Sequence, residues 1–361
     1  MAETQIYDKL FYRIFSRPER AADLVRNVVP QPVLSRIEPE SVRVDKKSYV
    51  DEKLRRHFSD VLIRFECADR GGVFDESPPH GRRDSSAGPS LGEREELYVY
   101  ILFDHKSRPD KWVSFQLWRY VGNIYRNILD AKKDNEEEEE GAAGPPVRLP
   151  EVVPVVFYHG SEKWRSSLQT ADLIGYTEER DYIPRFEPIF YDLNGVDERK
   201  LVGAIQTVAA LVFFKYIKRD FTKDAQAAGR ILEYMHRLPA DSDERRLFER
   251  VVAEVKNEEE TERFLAESRE RGYTEIEEDV MTFAEAKLQE GREKGRQEGR
   301  QEGTLKDKRD VVKRFLDRKF GLSEEEAAEI DRIEDLEVLD SAFDELIDAE
   351  EKRQVMEKLG M

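Results

Sequence analysis

Apolar and polar residues alternate along residues 97–106, LYVYILFDHK. In an extended chain Leu97, Val99, Ile101 and Phe103 share one face, and Tyr98, Tyr100, Leu102, Asp104 and Lys106 the other. Asp104 and Lys106 therefore point the same way and His105 points away. A second apolar stretch, HFSDVLIRF, carries Asp60. The near-continuous run VVPVVFYHG over 152–160 predicts a strand buried on both faces. Between these strands, Ser107-Arg108-Pro109-Asp110 reads as a capping box with proline in the first turn. A helix is expected from Arg108 to about Asp130. Residues 197–235 read as helical, and residues 241–271 as one charged helix. The latter has Leu247, Phe248, Val251, Val252, Val255, Phe264 and Leu265 at helical spacing.

Two segments interrupt this pattern. Residues 69–96 are rich in Gly, Pro, Ser and charge, and are expected to form a loop between two adjacent strands. Residues 131–150 hold six acids between Asp134 and Glu140 and read as a solvated loop. Further on, Gly291, Gly295, Gly299 and Gly303 repeat within EGREKGRQEGRQEG, where a linker and a self-associating helix are both open readings. Residues 309–361 regain a helical period through Phe315, Leu316, Phe320, Leu322, Ile330, Ile333, Leu336, Leu339, Phe343, Leu346 and Ile347. A small helical module is expected there, needing a partner or the main domain to bury its apolar face.

Composition narrows the class. No stretch of 18 or more apolar residues predicts a transmembrane helix, and no membrane partner is expected. The N-terminus lacks a signal-peptide pattern. A single cysteine, Cys67, excludes an intrachain disulfide framework and fits a reducing, cytoplasmic setting. The net charge of -18 argues against sequence-independent coating of nucleic acid. Locally the balance reverses: from Asp104 to Arg126 stand five cations (Lys106, Arg108, Lys111, Arg119, Arg126) and two acids (Asp104, Asp110). Arg108, Lys111, Arg119 and Arg126 are thus candidates for contacts to a DNA backbone. The five histidines and one cysteine show no zinc-ligand spacing.

Candidate chemistry follows from order. Asp60 and Asp104 could give Mg²⁺, or Mn²⁺, its carboxylate ligands, with the His105 backbone carbonyl as a further oxygen. Such an ion polarises a phosphate and lowers the pKa of a bound water. Lys106 could hold that water and stabilise transition-state charge. Gln116 and Tyr120 lie one helical turn apart, so Gln116 can support the site while Tyr120 lies near a nucleic-acid strand. His159 could touch substrate; with Gly160 it is read in preference as shaping a turn. Asp60, Asp104, Lys106 and Gln116 in this order are the residue order of a PD-(D/E)XK metal-dependent phosphodiesterase with a Q-x-x-x-Y helix.

The wording of several segments, including YDKLFYRIFSRPERAADLVRNVVP, YILFDHKSRPDKWVSFQLWRYVGNIYRNIL and LPEVVPVVFYHGSEKW, resembles the recombination-promoting nuclease family, long described as transposases. The resemblance implies an α/β fold: a restriction-endonuclease-like mixed sheet flanked by helices, with a helical C-terminal extension. It implies a Mg²⁺-dependent DNA endonuclease with Asp60, Asp104 and Lys106 catalytic and Gln116 supporting. Where the family opens with His-Asp this chain has Tyr7-Asp8, so Asp8 alone carries over as an additional acidic candidate. The expected division is a nuclease-like domain over 1–235, a charged helical extension over 236–289, the glycine repeat over 290–308 and the helical module over 309–361. A homo-oligomer through the C-terminal helices is a further expectation. The alternatives are a catalytically silent assembly protein on the same fold and, lower, a transposase, which would want three carboxylates rather than two and a lysine.

Overall fold

The computed structural model describes residues 2–45, 61–66, 98–138, 149–174 and 186–361. Among these, five strands form one sheet in chain order. β1 (Arg43–Asp45), β2 (Val61–Glu66) and β3 (Tyr98–Lys106) pair antiparallel. β4 (Glu151–Tyr158) lies parallel to β3, and β5 (Ile189–Asp192) parallel to β4. A parallel step needs a crossover, and α4 below supplies it between β3 and β4.

Helices cover both faces of this sheet. On one side Ile63, Phe65, Ile101, Phe103, Val155 and Phe157 meet α1 (Ala2–Phe15), α2 (Pro18–Val28) and a C-terminal helical layer in a single core. A short α3 (Gln31–Leu34) follows α2. On the other side α4 (Val113–Glu138) buries Val113, Leu117, Tyr120 and Ile124 against Leu62 and Val156. β4 is therefore covered on both faces, as its apolar run requires.

The remaining layer comprises α5 (Ile205–Ile217), α6 (Ala225–His236), α7 (Asp243–Val255) and α8 (Glu258–Arg271). Gly203, at φ +113°, brings the chain against Asp23 of α2, whose carboxylate accepts from Ala204 N and Thr207 Oγ1 at the start of α5. A side chain at 203 would collide with that carboxylate.

Several expectations need correction. α4 starts at Val113, not Arg108: Asp110, rather than Ser107, serves its first turn by accepting from Trp112 N at 2.9 Å. Proline at 109 disfavours helical backbone at Arg108, which explains the delay. The same helix runs on to Glu138, into the stretch expected to be a loop, because its Ala, Lys and Glu are good helix formers. The single charged helix over 241–271 is two helices, since Asn257 caps a new start by accepting from Glu260 N. Phe248, Val252, Phe264 and Leu265 from these helices lie in the main core, and the first compact unit spans Met1–Met281. The 69–96 insertion lies outside the described residues, as does 139–148 of the acidic segment.

α9 (Thr274–Phe320) is continuous helix through all four repeated glycines, and a Cβ at any of them would meet open space. The second unit, Thr282–Met361, adds α10 (Glu324–Ile330), α11 (Leu336–Asp348) and α12 (Lys352–Lys358). It has its own core of Val312, Leu316, Ile330, Leu339, Leu346 and Val355. Phe315 and Ile347, expected in that core, are instead exposed. No described helix is long and apolar enough to cross a membrane.

Candidate active site

β3 ends in Asp104-His105-Lys106, and strand alternation splits these residues between two environments. Asp104 is 2% exposed on the α4 side. Its Oδ2 stands 3.3 Å from Lys106 Nζ and has no hydrogen-bond partner among the described residues. Burial pushes the Asp104 carboxyl up to about 6, against the opposing pull of the Lys106 ammonium. Lys106 Nζ donates to Asp110 Oδ2 and to Gln116 Oε1, each at 3.1 Å. One ammonium is thus fixed from its own strand, from the turn before α4 and from the first turn of α4.

The backbone beside it is equally constrained. His159 N donates to Lys106 O, extending the β3–β4 ladder past Tyr158. A Cβ on Gly160 would come within 2.5 Å of Ser107 O and within 2.4 Å of the Tyr158 hydroxyl. Only glycine lets these two chain ends approach so closely. Asn194 Nδ2 donates to Gly160 O at 2.9 Å and ties the turn to the residues after β5.

His105 faces the other way, into the main core. Its Nδ1 meets Asp8 Oδ1 at 3.2 Å, and its ring stacks on His159 with centroids 4.6 Å apart. Phe11, Phe157 and Phe214 pack around the pair. His159 Nδ1 lies 3.1 Å from Phe214 O; a carbonyl only accepts, so this nitrogen carries the proton. Burial holds both imidazoles below their ordinary pKa, His159 the further, while Asp8 pulls His105 partly back.

The candidate residues therefore separate. Asp104, Lys106 and Gln116 come together. Asp60 lies outside the described residues; its neighbour Val61 pairs with Phe103, the residue before Asp104. Asp8 meets His105 Nδ1 through Oδ1, and its charge also acts on the Asp104 carboxyl. Tyr120 is 5% exposed and packs in the α4 core with Val113, Leu117 and Ile124. Arg108, Lys111, Arg119 and Arg126 are exposed. His159 is buried in the histidine pair, consistent with a turn-shaping role rather than substrate contact. Sequence reasoning missed two participants. Asp110 was legible four residues after Lys106; Lys218, whose Nζ reaches Ser107 O at 3.5 Å, comes from far along the chain and had no local signal.

A buried carboxylate ion-paired with a positioned ammonium can offer a cation one ligand and an anion one charge. Comparison with known proteins bears on which. The chain is 26% identical over 156 residues to recombination-promoting nuclease RpnA of Escherichia coli (strain K12), covering 43% of this chain and 40% of that protein. It is 25% identical to recombination-promoting nuclease RpnD of Escherichia coli O157:H7 over 43% of this chain and 45% of the other. It is 23% identical to the inactive recombination-promoting nuclease-like protein RpnE of Escherichia coli (strain K12), over 61% of this chain and 67% of that one. The chain thus spans less than half the length of RpnA and RpnD. No solved structure matches. The family profile described as "Putative transposase, YhgA-like" matches residues 5–73 and 90–244, more than half of the chain, and the chain belongs to that family, with recombination-promoting nucleases among its relatives.

Proposed function

We propose that this protein is a divalent-metal-dependent endonuclease of the PD-(D/E)XK kind, hydrolysing DNA phosphodiester bonds. The observation that carries the reading is the Asp104–Lys106–Gln116 arrangement at the end of β3. The mixed sheet with helices on both faces supports it, as do the relatives named as nucleases.

The residues fit a hard cation. Asp104 Oδ2 is buried without a hydrogen bond among the described residues, and Mg²⁺ or Mn²⁺ takes such an oxygen together with water and phosphate oxygens. Asp104, the His105 carbonyl and, by its place in the chain, Asp60 would hold it. Such an ion, when bound, supplies Lewis-acid polarisation of the phosphate and a water of lowered pKa. Lys106 then serves as the fixed positive charge beside the phosphate oxygens, its ammonium donors directed toward Asp110 and Gln116. Gln116 accepts one of those donors and sets the direction of the others. The exposed Arg108, Lys111, Arg119 and Arg126 supply backbone contacts in an otherwise acidic chain. Breaks so made would promote recombination, as the relatives' names state for those proteins.

A silent scaffold is the second reading, and the name of RpnE, inactive nuclease-like, favours it. Against it stands the positioned lysine. A plasmid-nicking assay decides: Mg²⁺-dependent nicking, abolished by EDTA and by Asp104→Ala, is expected. An Asp104→Ala protein that cuts like wild type would overturn the site. Absence of nicking with every divalent ion would leave the scaffold.

A further inference from the structure

The residue before α4 and the first two turns of that helix carry aromatic side chains outward, beside the candidate catalytic lysine. Trp112 is 49% exposed, and Phe115 and Trp118 are each 39% exposed. Phe115, Trp118 and Arg119 fall at i, i+3 and i+4 of the helix, and Trp112 stands just before its first residue. Leu173 and Ile174 of the segment before β5 form the facing wall, and the cleft between encloses about 420 Å³. Gln116 belongs to both places: it lines this cleft and it accepts from Lys106 Nζ.

Large exposed aromatics on a helix need an explanation, since the buried stripe of α4 is already supplied by Val113, Leu117, Tyr120 and Ile124. The surroundings are cationic. Arg119 lines the cleft, Lys111 Nζ lies 5.3 Å from the Trp112 ring centroid, and Arg108 is exposed in the turn just before. Flat apolar rings edged with cations are what a stacked base with its phosphate requires. A duplex hides its base faces, so this surface serves only a base that is unpaired or turned out of its stack.

We infer that the cleft over Trp112, Phe115 and Trp118 takes an unpaired nucleobase adjoining the scissile phosphate, so that the substrate is single-stranded or locally opened nucleic acid. The inference deepens the nuclease reading and rests on it for the neighbouring chemistry. Base stacking supplies affinity without sequence readout, and the continuity through Gln116 places the phosphate beside a stacked base near Lys106.

The test uses the full chain in EDTA and fluorescence anisotropy with labelled oligothymidylate of about 12 nucleotides and a hairpin duplex of similar length. Phe115→Ala and Trp118→Ala are each expected to weaken single-strand binding about tenfold and to leave duplex binding within about twofold. Leu129→Ala, an exposed apolar residue of α4 that does not line the cleft, should change neither. Two of the three tryptophans stand in this cleft, so oligothymidylate should quench tryptophan emission, and Trp112→Phe with Trp118→Phe should abolish the quenching. Unaltered single-strand affinity, or equal loss on duplex, overturns the base site. Nicking that persists while the aromatic variants bind normally rejects the cleft alone. Stacking-dependent binding by a wild-type protein that never cuts rejects the nuclease alone.

Discussion

Asp104 Oδ2 and Lys106 Nζ face each other at 3.3 Å from alternate positions of one strand. The ammonium restrains the rise of the carboxyl pKa, and Asp104 and Asp110 together hold the ammonium at the strand end. Lys106→Met should therefore do two things. Nicking should fall by about 10²–10³, the usual cost of removing one transition-state donor. The acid limb of the pH–rate profile should also move to higher pH, because Asp104 loses its main stabilising charge. A rate loss with an unmoved profile would mean that the two groups are uncoupled.

Asp104 also makes stability depend on pH. Its carboxyl is raised from 3.8 to about 6 by burial. A raised carboxyl favours the folded state while protonated; that contribution is present below the unfolded value and is lost as pH rises through about 6. Asp104→Asn should gain on wild type between about pH 4 and pH 7, by of order 2–3 kcal/mol. Urea denaturation in EDTA measures this. Added Mg²⁺ should recover stability in wild type and not in the variant.

The histidine pair works in the opposite sense. Burial lowers the pKa of His105 and His159 from the ordinary 6.5. A lowered base favours folding while neutral, so its contribution is present above that value and lost as pH falls. His159→Phe should lower stability at neutral pH by about 1–3 kcal/mol, since Phe214 O loses its donor. It should also flatten the decline in denaturation midpoint below the ordinary histidine pKa. A decline as steep as wild type would assign the acid sensitivity elsewhere.

Gly160→Ala places a methyl group against Tyr158 Oη and Ser107 O. A destabilisation of about 1–3 kcal/mol in urea is expected, with nicking reduced because the Lys106–Ser107 segment must shift. Combining it with Tyr158→Phe relieves the hydroxyl and leaves both the ring Cζ and the Ser107 carbonyl within about 2.6 Å, so rescue should be partial. Full rescue would locate all the strain in the hydroxyl.

How much of this was legible depended on distance along the chain. The shared face of Asp104 and Lys106, and the turning away of His105, follow from strand alternation alone. The double burial of β4 follows from its apolar run. The helix break at Asn257 was also readable, since Asn with Glu three residues later is a start signal. The burial of Tyr120 was missed because Gln116 and Tyr120 do share a turn, yet Val113, Leu117, Tyr120 and Ile124 form the stripe that a sheet-facing helix must bury. The Asp8–His105 contact joins residues 97 apart, and no local pattern announces it.

The placement of His105 between Asp104 and Lys106 makes this strand a partition, with the imidazole in the aromatic core on one side and the proposed catalytic pair on the other. Its three last residues share a backbone, so whatever displaces the imidazole displaces both charged neighbours. A screen for lost cleavage will accordingly collect substitutions at Phe11, Phe157 and Phe214, none of which reaches the α4 side of the sheet. Such hits, sorted by sequence alone, would be mistaken for fold defects or for a second functional centre. Sorted by the strand they lean on, they report the stiffness of the wall behind the chemistry.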